Sequence, residues 1–292
     1  IRQVYKSTEP IRRQARAMQD MPIEVRQKTV VVTSDEEGIV RAGHVIVVYG
    51  PSGGTGKTML ASNLASGLMK KGIRVLLVDA DLQFGDVGVF LKLQSQSTLL
   101  DLVSKIDDLD PDFFDSVVST HDSGLKVLLG PQRPEYAEDV ESVPASVSRI
   151  IEKIAGGYDF IVVDTSARID EQLLSLTDIA SKIVLVATPT LASVKNARFV
   201  LGLFDKMNYA PEKTLFVLNK VEDERARDRV TIPTETIEKY IKRQVIAKIP
   251  IGEQMILSAV NKGIPVIASK ERTKSPVKEL IAFADQMFTM LM

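Results

Sequence analysis

Apolar runs and amphipathic segments alternate along the chain from residue 44 onward. The runs are short, continuous and rich in β-branched residues, which is typical of strands buried on both faces of a parallel sheet. These runs are Val45–Tyr49, Ile73–Val78, Leu125–Leu129, Phe160–Val163, Ile183–Ala187, Leu215–Leu218 and Val245–Ile249. Apolar residues at helical spacing mark Lys57–Lys71, Val143–Ala155, Ala192–Met207, Glu253–Asn261 and Pro276–Met290. The alternation predicts a doubly wound α/β fold with helices on both faces of the sheet.

The first 43 residues do not follow this alternation. Ile1–Tyr5 has the character of a helix end, and Pro10 and Pro22 are typical of a linker. We therefore expect residues 1–43 to be a linker after an upstream domain, and residues 44–292 to form a single domain. The β-branched stretch Thr29–Thr33 is a candidate edge strand. A basic arm that folds over a partner is the alternative for the linker.

Composition excludes several classes of protein. Of the 292 residues, 45% are hydrophobic and 26% are charged, which indicates a globular chain. The formal net charge of −1 disfavours a broad surface that coats nucleic acid. The absence of cysteine excludes disulfides, thiolate metal sites and iron–sulfur clusters. Neither a signal peptide nor an apolar stretch long enough to span a membrane is present, so we expect a cytoplasmic protein.

The strongest local signal is a glycine-rich loop between an apolar strand and an amphipathic helix. The chain reads GPSGGTGKT over residues 50–58, here called the phosphate loop. Glycines let a phosphate approach the backbone, so that successive N–H groups point at its oxygens. In this motif Lys57 reaches the β- and γ-phosphates and the Thr58 hydroxyl binds Mg²⁺. Pro51 has no N–H to offer, so the glycines and the helix N-terminus must supply the donors.

The run SGGTGKT resembles the deviant Walker A loop, KGGxGK[ST], of the MinD/ParA family of P-loop ATPases. The resemblance implies a mostly parallel twisted sheet of seven or eight strands, ATP or ADP with Mg²⁺ as ligands, and a homodimer with nucleotide at or near its interface. The implied nucleotide contacts are Ser52, Gly53, Gly54, Thr55, Gly56, Lys57, Thr58 and Met59.

One position of the loop departs from the family pattern. Ser52 stands where the family has a signature lysine that reaches across the dimer to the partner's nucleotide. A cation supplied in trans to a transferring phosphoryl group contributes about 10³–10⁵ in rate. We therefore expect ATP binding with weak or slow hydrolysis.

Aspartates follow two of the predicted strands. The second strand runs into DADLQFGD over residues 79–86, and acids at strand ends suit the ligand crevice of an open α/β sheet. The resemblance implies that Asp81 positions the attacking water, and that Asp164 is the Walker B acid of the Mg²⁺ shell. The candidate catalytic residues are thus Lys57, Asp81 and Asp164, and the candidate Mg²⁺ site is Thr58, Asp81 and Asp164.

Two further sequence features concern which branch of the family the chain resembles, and which residue could replace the charge of the signature lysine. The run LQFGD and Pro51 resemble the CpaE/TadZ branch, whose members place tight-adherence, type IV-like pilus machinery at a cell site. After Asp164 the family usually continues Pro-Ala-Gly, whereas this chain reads TSAR. Arg168 is a candidate replacement cation, although a surface ion pair is the favoured role for it.

The base pocket is expected at the far end of the domain. The resemblance implies that Asn219 hydrogen-bonds the adenine edge, since a carboxamide offers both a donor and an acceptor. The backbone of Pro250 and Ile251 would line the other side of the base. A strand-terminal turn is the alternative for Asn219. Asn261 and Gly263 are typical of a helix C-terminus.

Other surface features favour simple structural roles. Ser193 is a candidate N-cap for the helix that the family uses at its dimer face. The last helix carries one apolar stripe, which predicts core packing rather than a membrane tail. A basic cluster precedes and enters that helix, and a solvated loop is favoured over a DNA or membrane contact. The cluster is Lys270, Arg272, Lys274 and Lys278.

These observations favour a dimerising, slowly hydrolysing ATP switch that positions or regulates tight-adherence pilus or secretion machinery. Its expected partners are pilus or secretion-system proteins, with no specific nucleic acid and only indirect or weak membrane contact at a pole or the inner membrane face. Alternatives are a non-hydrolysing dimeric scaffold, a ParA-like DNA-partitioning ATPase and a metabolic ligase. The net charge disfavours DNA partitioning, and no additional substrate motif supports a ligase.

Overall fold

A central β-sheet organises the chain in the computed structural model, which describes residues 32–34, 40–223, 226 and 228–292. The strands of the described residues are β1 (Val32–Ser34), β2 (Val40–Ala42), β3 (His44–Tyr49), β4 (Val75–Ala80), β5 (Ser119–Thr120), β6 (Lys126–Leu128), β7 (Phe160–Thr165), β8 (Lys182–Ala187), β9 (Thr214–Val221) and β10 (Val245–Pro250). Eight of them form one sheet in the order β10-β9-β8-β3-β7-β4-β6-β5. Every neighbouring pair is parallel except β5–β6. The predicted mostly parallel sheet of seven or eight strands is confirmed.

Helices cover both faces of this sheet. In the described part of the chain they are α1 (Lys57–Leu68), α2 (Val87–Phe90), α3 (Leu99–Val103), α4 (Pro111–Val117), α5 (Ala137–Glu141), α6 (Ser146–Ile154), α7 (Glu171–Ile179), α8 (Leu191–Lys206), α9 (Thr234–Ile241), α10 (Glu253–Lys262) and α11 (Val277–Leu291). One face packs against α1, α2, α10 and α11, and the other against α3 to α9. Successive residues of β3 enter the two layers in turn, and all but its first residue, His44, are buried. This two-sided burial explains why the strands read as continuous apolar runs.

The order of the strands creates a crevice beside β3. The chain passes from β3 to β4 on one side of the sheet, whereas β8, β9 and β10 build the other side. Ligands of open α/β sheets bind where the connections diverge in this way, beyond the carboxyl ends of the strands. The phosphate loop leaves β3 at this point.

The last helix packs into the core, as its apolar stripe predicts. Val277, Leu280 and Phe283 are all buried against the layer that contains α1. Gly67 of α1 lies so close to α11 that a Cβ there would be 2.5 Å from the Cβ of Ala284. In the basic cluster, Lys274 pairs with Glu271 and Lys278 with Glu279. Gly263 ends α10 in the left-handed region, with φ 70°, which confirms the predicted helix end.

The amino-terminal predictions have a mixed outcome. Residues 1–31 and 35–39, which include most of the predicted linker and the end of the upstream domain, lie outside the described residues. Of the candidate edge strand Thr29–Thr33, residues 29–31 lie outside the described residues. Val32 and Thr33 do belong to a strand, β1, but it pairs antiparallel with β2 in a separate two-stranded sheet and not with an edge of the main sheet. The edge next to β6 is instead formed by β5, only two residues long.

Candidate functional site

The phosphate loop forms an open cradle between β3 and α1. Gly54 and Gly56 have φ of 70° and 89°, a region that favours glycine. A Cβ at Gly53 or Gly54 would have no heavy atom of the described residues within 4 Å, so these residues leave free space on this side of the loop. Helix α1 begins at Lys57 without a side-chain cap at its N-terminus. Its first N–H groups are therefore free to bind an anion.

Asn219 supports the phosphate loop at the end of β9. Its buried Nδ2 donates to the carbonyl oxygen of Thr55 over 2.8 Å. A Cβ at Gly56 would lie 2.3 Å from the same Nδ2, so this position needs glycine for the close approach as well as for its φ. The Thr55 hydroxyl in turn donates to the carbonyl of Ser52 at 3.3 Å. Contact between Asn219 and adenine stays a prediction.

Thr58 and Asp164 come together at the base of the cradle. The Thr58 hydroxyl donates to Oδ2 of Asp164 over 2.6 Å. Asp164 is fully buried, and its Oδ1 has no hydrogen-bond partner in the described part of the chain. A buried carboxylate oxygen without a partner is costly unless a ligand completes it. Hydroxyl and carboxylate oxygens are ligands that Mg²⁺ accepts, so these two residues fit that ion.

The rest of a Mg²⁺ shell would have to come from the nucleotide. Within the described residues, no group of three or more His, Cys, Asp or Glu side chains could hold a metal ion. Mg²⁺ in nucleotide sites is usually held by one or two protein side chains together with phosphate oxygens and water. The arrangement therefore fits Mg²⁺ that arrives with a phosphate ligand.

Two carboxyl groups share this buried region. Burial raises the pKa of Asp164 to about 7, although the Thr58 hydrogen bond and the Lys57 cation oppose that rise. Asp79 is the register partner of Asp164 on the adjacent strand. Burial, and then the Asp164 charge, raise the pKa of Asp79 well above its ordinary value. Without a cation, both carboxyl groups therefore hold a proton more readily than an exposed aspartate does.

This pKa shift predicts a pH-dependent effect of Mg²⁺ on stability. A raised folded-state pKa means that, without Mg²⁺, the contribution of Asp164 to stability is lost as pH rises through about 7. Mg²⁺ binds the ionised carboxylate, so the rise in Tm that Mg²⁺ causes in the presence of ADP should be larger at about pH 8 than at about pH 6.

Thermal unfolding with and without Mg²⁺ checks this expectation. The Asp164→Asn variant is the control, because it retains the titration of ADP itself but lacks the carboxyl group. We expect the difference between the two pH values to shrink in that variant. Equal Tm shifts at both pH values in the native protein would contradict the assignment.

Asp81 lies on the loop that follows β4. Its Oδ1 accepts the N–H of Phe84 at 3.3 Å, so the carboxylate is held within its own loop. Asp86, at the other end of the loop, has its pKa raised by burial and then by the Asp81 charge. The structure thus brings Asp81 to the same edge of the sheet as the phosphate loop. Its action on a water molecule stays a prediction.

Ser52 makes a contact that the sequence did not reveal. Its Oγ accepts a hydrogen bond from Nδ2 of Asn196, on α8, over 3.1 Å. The position that carries a lysine in the family is therefore tied to the neighbouring helix. The predicted helix Ala192–Met207 placed Asn196 on a regular element, but nothing in the pattern indicated which of its residues reaches the loop.

Two other predictions near the site have clear outcomes. Arg168 pairs with Glu141 at 3.0 Å and with Asp170 at 3.7 Å, which confirms the favoured surface ion pair. The N-cap prediction for Ser193 is wrong, because α8 begins at Leu191 with Thr190 at the N-cap position. Ser193 instead lies in the first turn and accepts the N–H of Thr188 at 3.0 Å.

The expected base-binding residues lie at the same edge of the sheet as Asn219. Pro250 ends β10, and the N–H of Ile251 donates to the carbonyl of Val221 on β9 at 3.1 Å. Both line an open groove of about 860 Å³. Met59 is buried beneath the loop, so a ligand would meet its backbone rather than its side chain. Adenine binding by these residues stays a prediction.

The model of the CobQ/CobB/MinD/ParA nucleotide-binding domain matches residues 46–266, which is most of the chain. The chain belongs to this family. The predicted membership of the MinD/ParA group of P-loop ATPases is therefore confirmed, and nucleotide binding and ATPase chemistry follow at the level of the family. The CpaE/TadZ branch stays a prediction.

Individual relatives agree with this assignment. The septum site-determining protein MinD of Thermotoga maritima is 27% identical over 227 residues, which are 77% of this chain and 81% of that protein. A ParA family ATPase from Chlorobium tepidum superposes with a TM-score of 0.75 at 26% identity, over 83% of this chain and 99% of that one. MinD from Pyrococcus horikoshii, solved with Mg-ADP, shares the fold, with a TM-score of 0.71 at 23% identity over 84% and 96% of the two chains.

None of the helices in the described ranges is both long enough and apolar enough to cross a bilayer.

Proposed function

We propose that this family ATPase works as a nucleotide-controlled switch, in which two subunits face each other across bound ATP and hydrolysis resets the pair. The observation that carries the proposal is the Thr58–Asp164 contact beneath an open phosphate loop, with one carboxylate oxygen unpartnered and available to a cation. The Mg-ADP that accompanies the related Pyrococcus horikoshii MinD supports the same ligand here. Mg²⁺, when bound, neutralises phosphate charge.

Each residue of the site has a separate task in this proposal. Lys57, at the first position of α1, binds the terminal phosphates as a cation. Backbone N–H groups of the phosphate loop bind the phosphate oxygens, and Thr58 and Asp164 supply oxygens on the Mg²⁺ side. Asp81 orients the attacking water. Asn219 holds the loop through Thr55 and is assigned the adenine edge, with Pro250 on the other side of the base.

Ser52 makes slow hydrolysis the expected behaviour. A serine hydroxyl cannot replace the charge of a lysine at the transferring phosphoryl group, and Arg168 is already paired with two acids. This observation also favours the second candidate function, a dimeric scaffold that binds nucleotide without hydrolysing it. The two candidates share the binding site and differ in turnover.

The Ser52→Lys variant tests this reading of the loop. Because a cation at the phosphoryl group stabilises the developing charge, we expect steady-state ATP turnover to rise about tenfold or more. Ser52→Gln is the control, since it adds length and a polar end without a charge and also disturbs the contact with Asn196. Unchanged turnover in a Ser52→Lys protein that still dimerises would show that the missing lysine does not limit the rate.

We infer further that the switch positions tight-adherence pilus machinery. The LQFGD run and Pro51 support this role through their resemblance to the CpaE/TadZ branch. The test is to delete the gene in its own organism, restore it as native protein or as Lys57→Ala, and image pili and septa. We expect few or misplaced pili with normal septa, rescued only by the native protein. Misplaced septa with normal pili would instead indicate a division role like that of the MinD relatives.

A further inference from the structure

Asp79 holds both ends of the loop that carries Asp81. It is 2% exposed at the end of β4, and each of its carboxylate oxygens accepts a backbone N–H from the loop. Oδ1 accepts the N–H of Asp81 and Oδ2 accepts the N–H of Val87, both at 3.2 Å. The first and last residues of the loop from 81 to 87 therefore both donate a backbone hydrogen bond to one buried side chain.

Two glycines allow the backbone to approach Asp79 closely. A Cβ at Gly85 would lie 2.5 Å from Oδ2 of Asp79, which is closer than any ordinary contact. A Cβ at Gly130 would lie 3.1 Å from the backbone oxygen of the same residue. The loop therefore wraps tightly around Asp79, and a side chain at position 85 would push the two apart.

Asp79 is also fixed relative to the phosphate loop. It is the register partner of Asp164 in the parallel pair β4–β7, so the two side chains project from the same face of the sheet. That face is covered by α1, whose Thr58 donates to Asp164. Asp79 thus lies beside the Mg²⁺-side carboxylate in register, and its own hydrogen bond leads to the backbone of Asp81.

We propose that Asp79 is a positioning residue for ATP hydrolysis: it sets the backbone of residues 81–87 so that the Asp81 carboxylate faces the nucleotide. The inference rests on the proposed function, in which Asp81 orients the attacking water. Asp79 itself does not touch the phosphates in this role. It contributes by limiting the positions that Asp81 can take, and small displacements of a catalytic group are costly in rate.

The Asp79→Asn variant tests the role in two ways. The amide keeps the shape of the side chain but replaces one acceptor with a donor that cannot pair with a loop N–H. We expect kcat to fall about tenfold or more while the KM for ATP changes by less than about twofold. In an Asp81→Ala background the same substitution should cause no further loss of kcat, because Asp79 acts through Asp81. Independent, additive losses would overturn the proposal.

Hydrogen exchange provides a readout that does not depend on turnover. Amides of residues 81–87 should exchange faster in Asp79→Asn, whereas the neighbouring substitution Asp86→Asn should leave them unchanged, since no loop N–H of the described chain donates to its carboxylate. If Asp79→Asn does not fold, Gly85→Ala is the second variant, because its Cβ would push the loop away from the Asp79 carboxylate. It should have the same effect on kcat and on amide exchange. Unchanged exchange in these variants would overturn the proposal. A native protein without ATPase activity but with the expected exchange pattern would instead refute the hydrolytic step of the proposed function.

Discussion

The Lys57→Ala variant is expected to lose nearly all nucleotide affinity. Lys57 is the single lysine of the phosphate loop, and α1 begins at this residue, so we expect its charge to reach a phosphate that is bound at Gly53 to Gly56. Removing one charge-assisted contact from a triphosphate should weaken ATP binding about 100-fold, or about 2.7 kcal/mol. Isothermal titration calorimetry with Mg-ATP and Mg-ADP measures this change.

The matched control is Lys71→Ala, three residues beyond the end of α1, where the side chain is exposed. It alters net charge by the same amount but leaves the loop intact, so its affinity should equal that of the native protein. Unchanged affinity in Lys57→Ala would refute the assignment of residues 50–58 as the phosphate-binding loop.

The Phe283→Ala variant is expected to lose about 3–5 kcal/mol of unfolding free energy. Phe283 lies in the middle of α11, is 2% exposed and packs in the layer that contains α1. Removing its ring leaves a cavity that a close-packed interior fills only in part. Urea unfolding followed by circular dichroism measures the loss.

Met290→Ala, on the same helix, is the control for this prediction. Met290 is 39% exposed, so its truncation should cost less than about 1 kcal/mol. If the two variants were equally stable, α11 would not be part of the core. The alternative of a membrane-attaching tail for this helix would then have to be reconsidered.

The order of motifs made most of the site predictable from the sequence. A strand, a glycine-rich loop and a helix around Lys57 leave few structural alternatives, and continuous apolar runs identify parallel strands before any contact is known. Because parallel strands end at one edge of the sheet, acids such as Asp81 and Asp164 had to lie near the loop. The structure brings Thr58 and Asp164 within hydrogen-bond distance, as that reasoning requires.

Short elements and single contacts were not predictable in the same way. Helix α3 has five residues and α5 has five, which is too short for helical periodicity to emerge above chance. The contact of Ser52 with Asn196 joins residues 144 positions apart, and no local pattern indicates such a pair. Ser193 has the residue type of an N-cap, but the start of α8 depends on the backbone and not on that preference.

The role of Asp79 could not be predicted from the sequence. Asp79 precedes Asp81 by two residues, and its position in the DxD pattern suggested no task of its own. Its importance depends on burial, on two backbone N–H groups and on the absence of a Cβ at Gly85, none of which the sequence states. The signal that was present is the pairing of an acid at a strand end with a glycine six residues later.

The molecular mass of the protein in solution, measured with ADP and with ATP, tests the proposed switch most directly. Light scattering of the purified chain with Mg-ADP and then with Mg-ATP, with phosphate release followed on the same sample, compares the two states in one experiment. We predict the mass of a 32.1 kDa monomer with ADP, about twice that mass with ATP, and a slow return to monomer as phosphate appears. The same mass in both nucleotides with no phosphate released would contradict the switch and favour the scaffold.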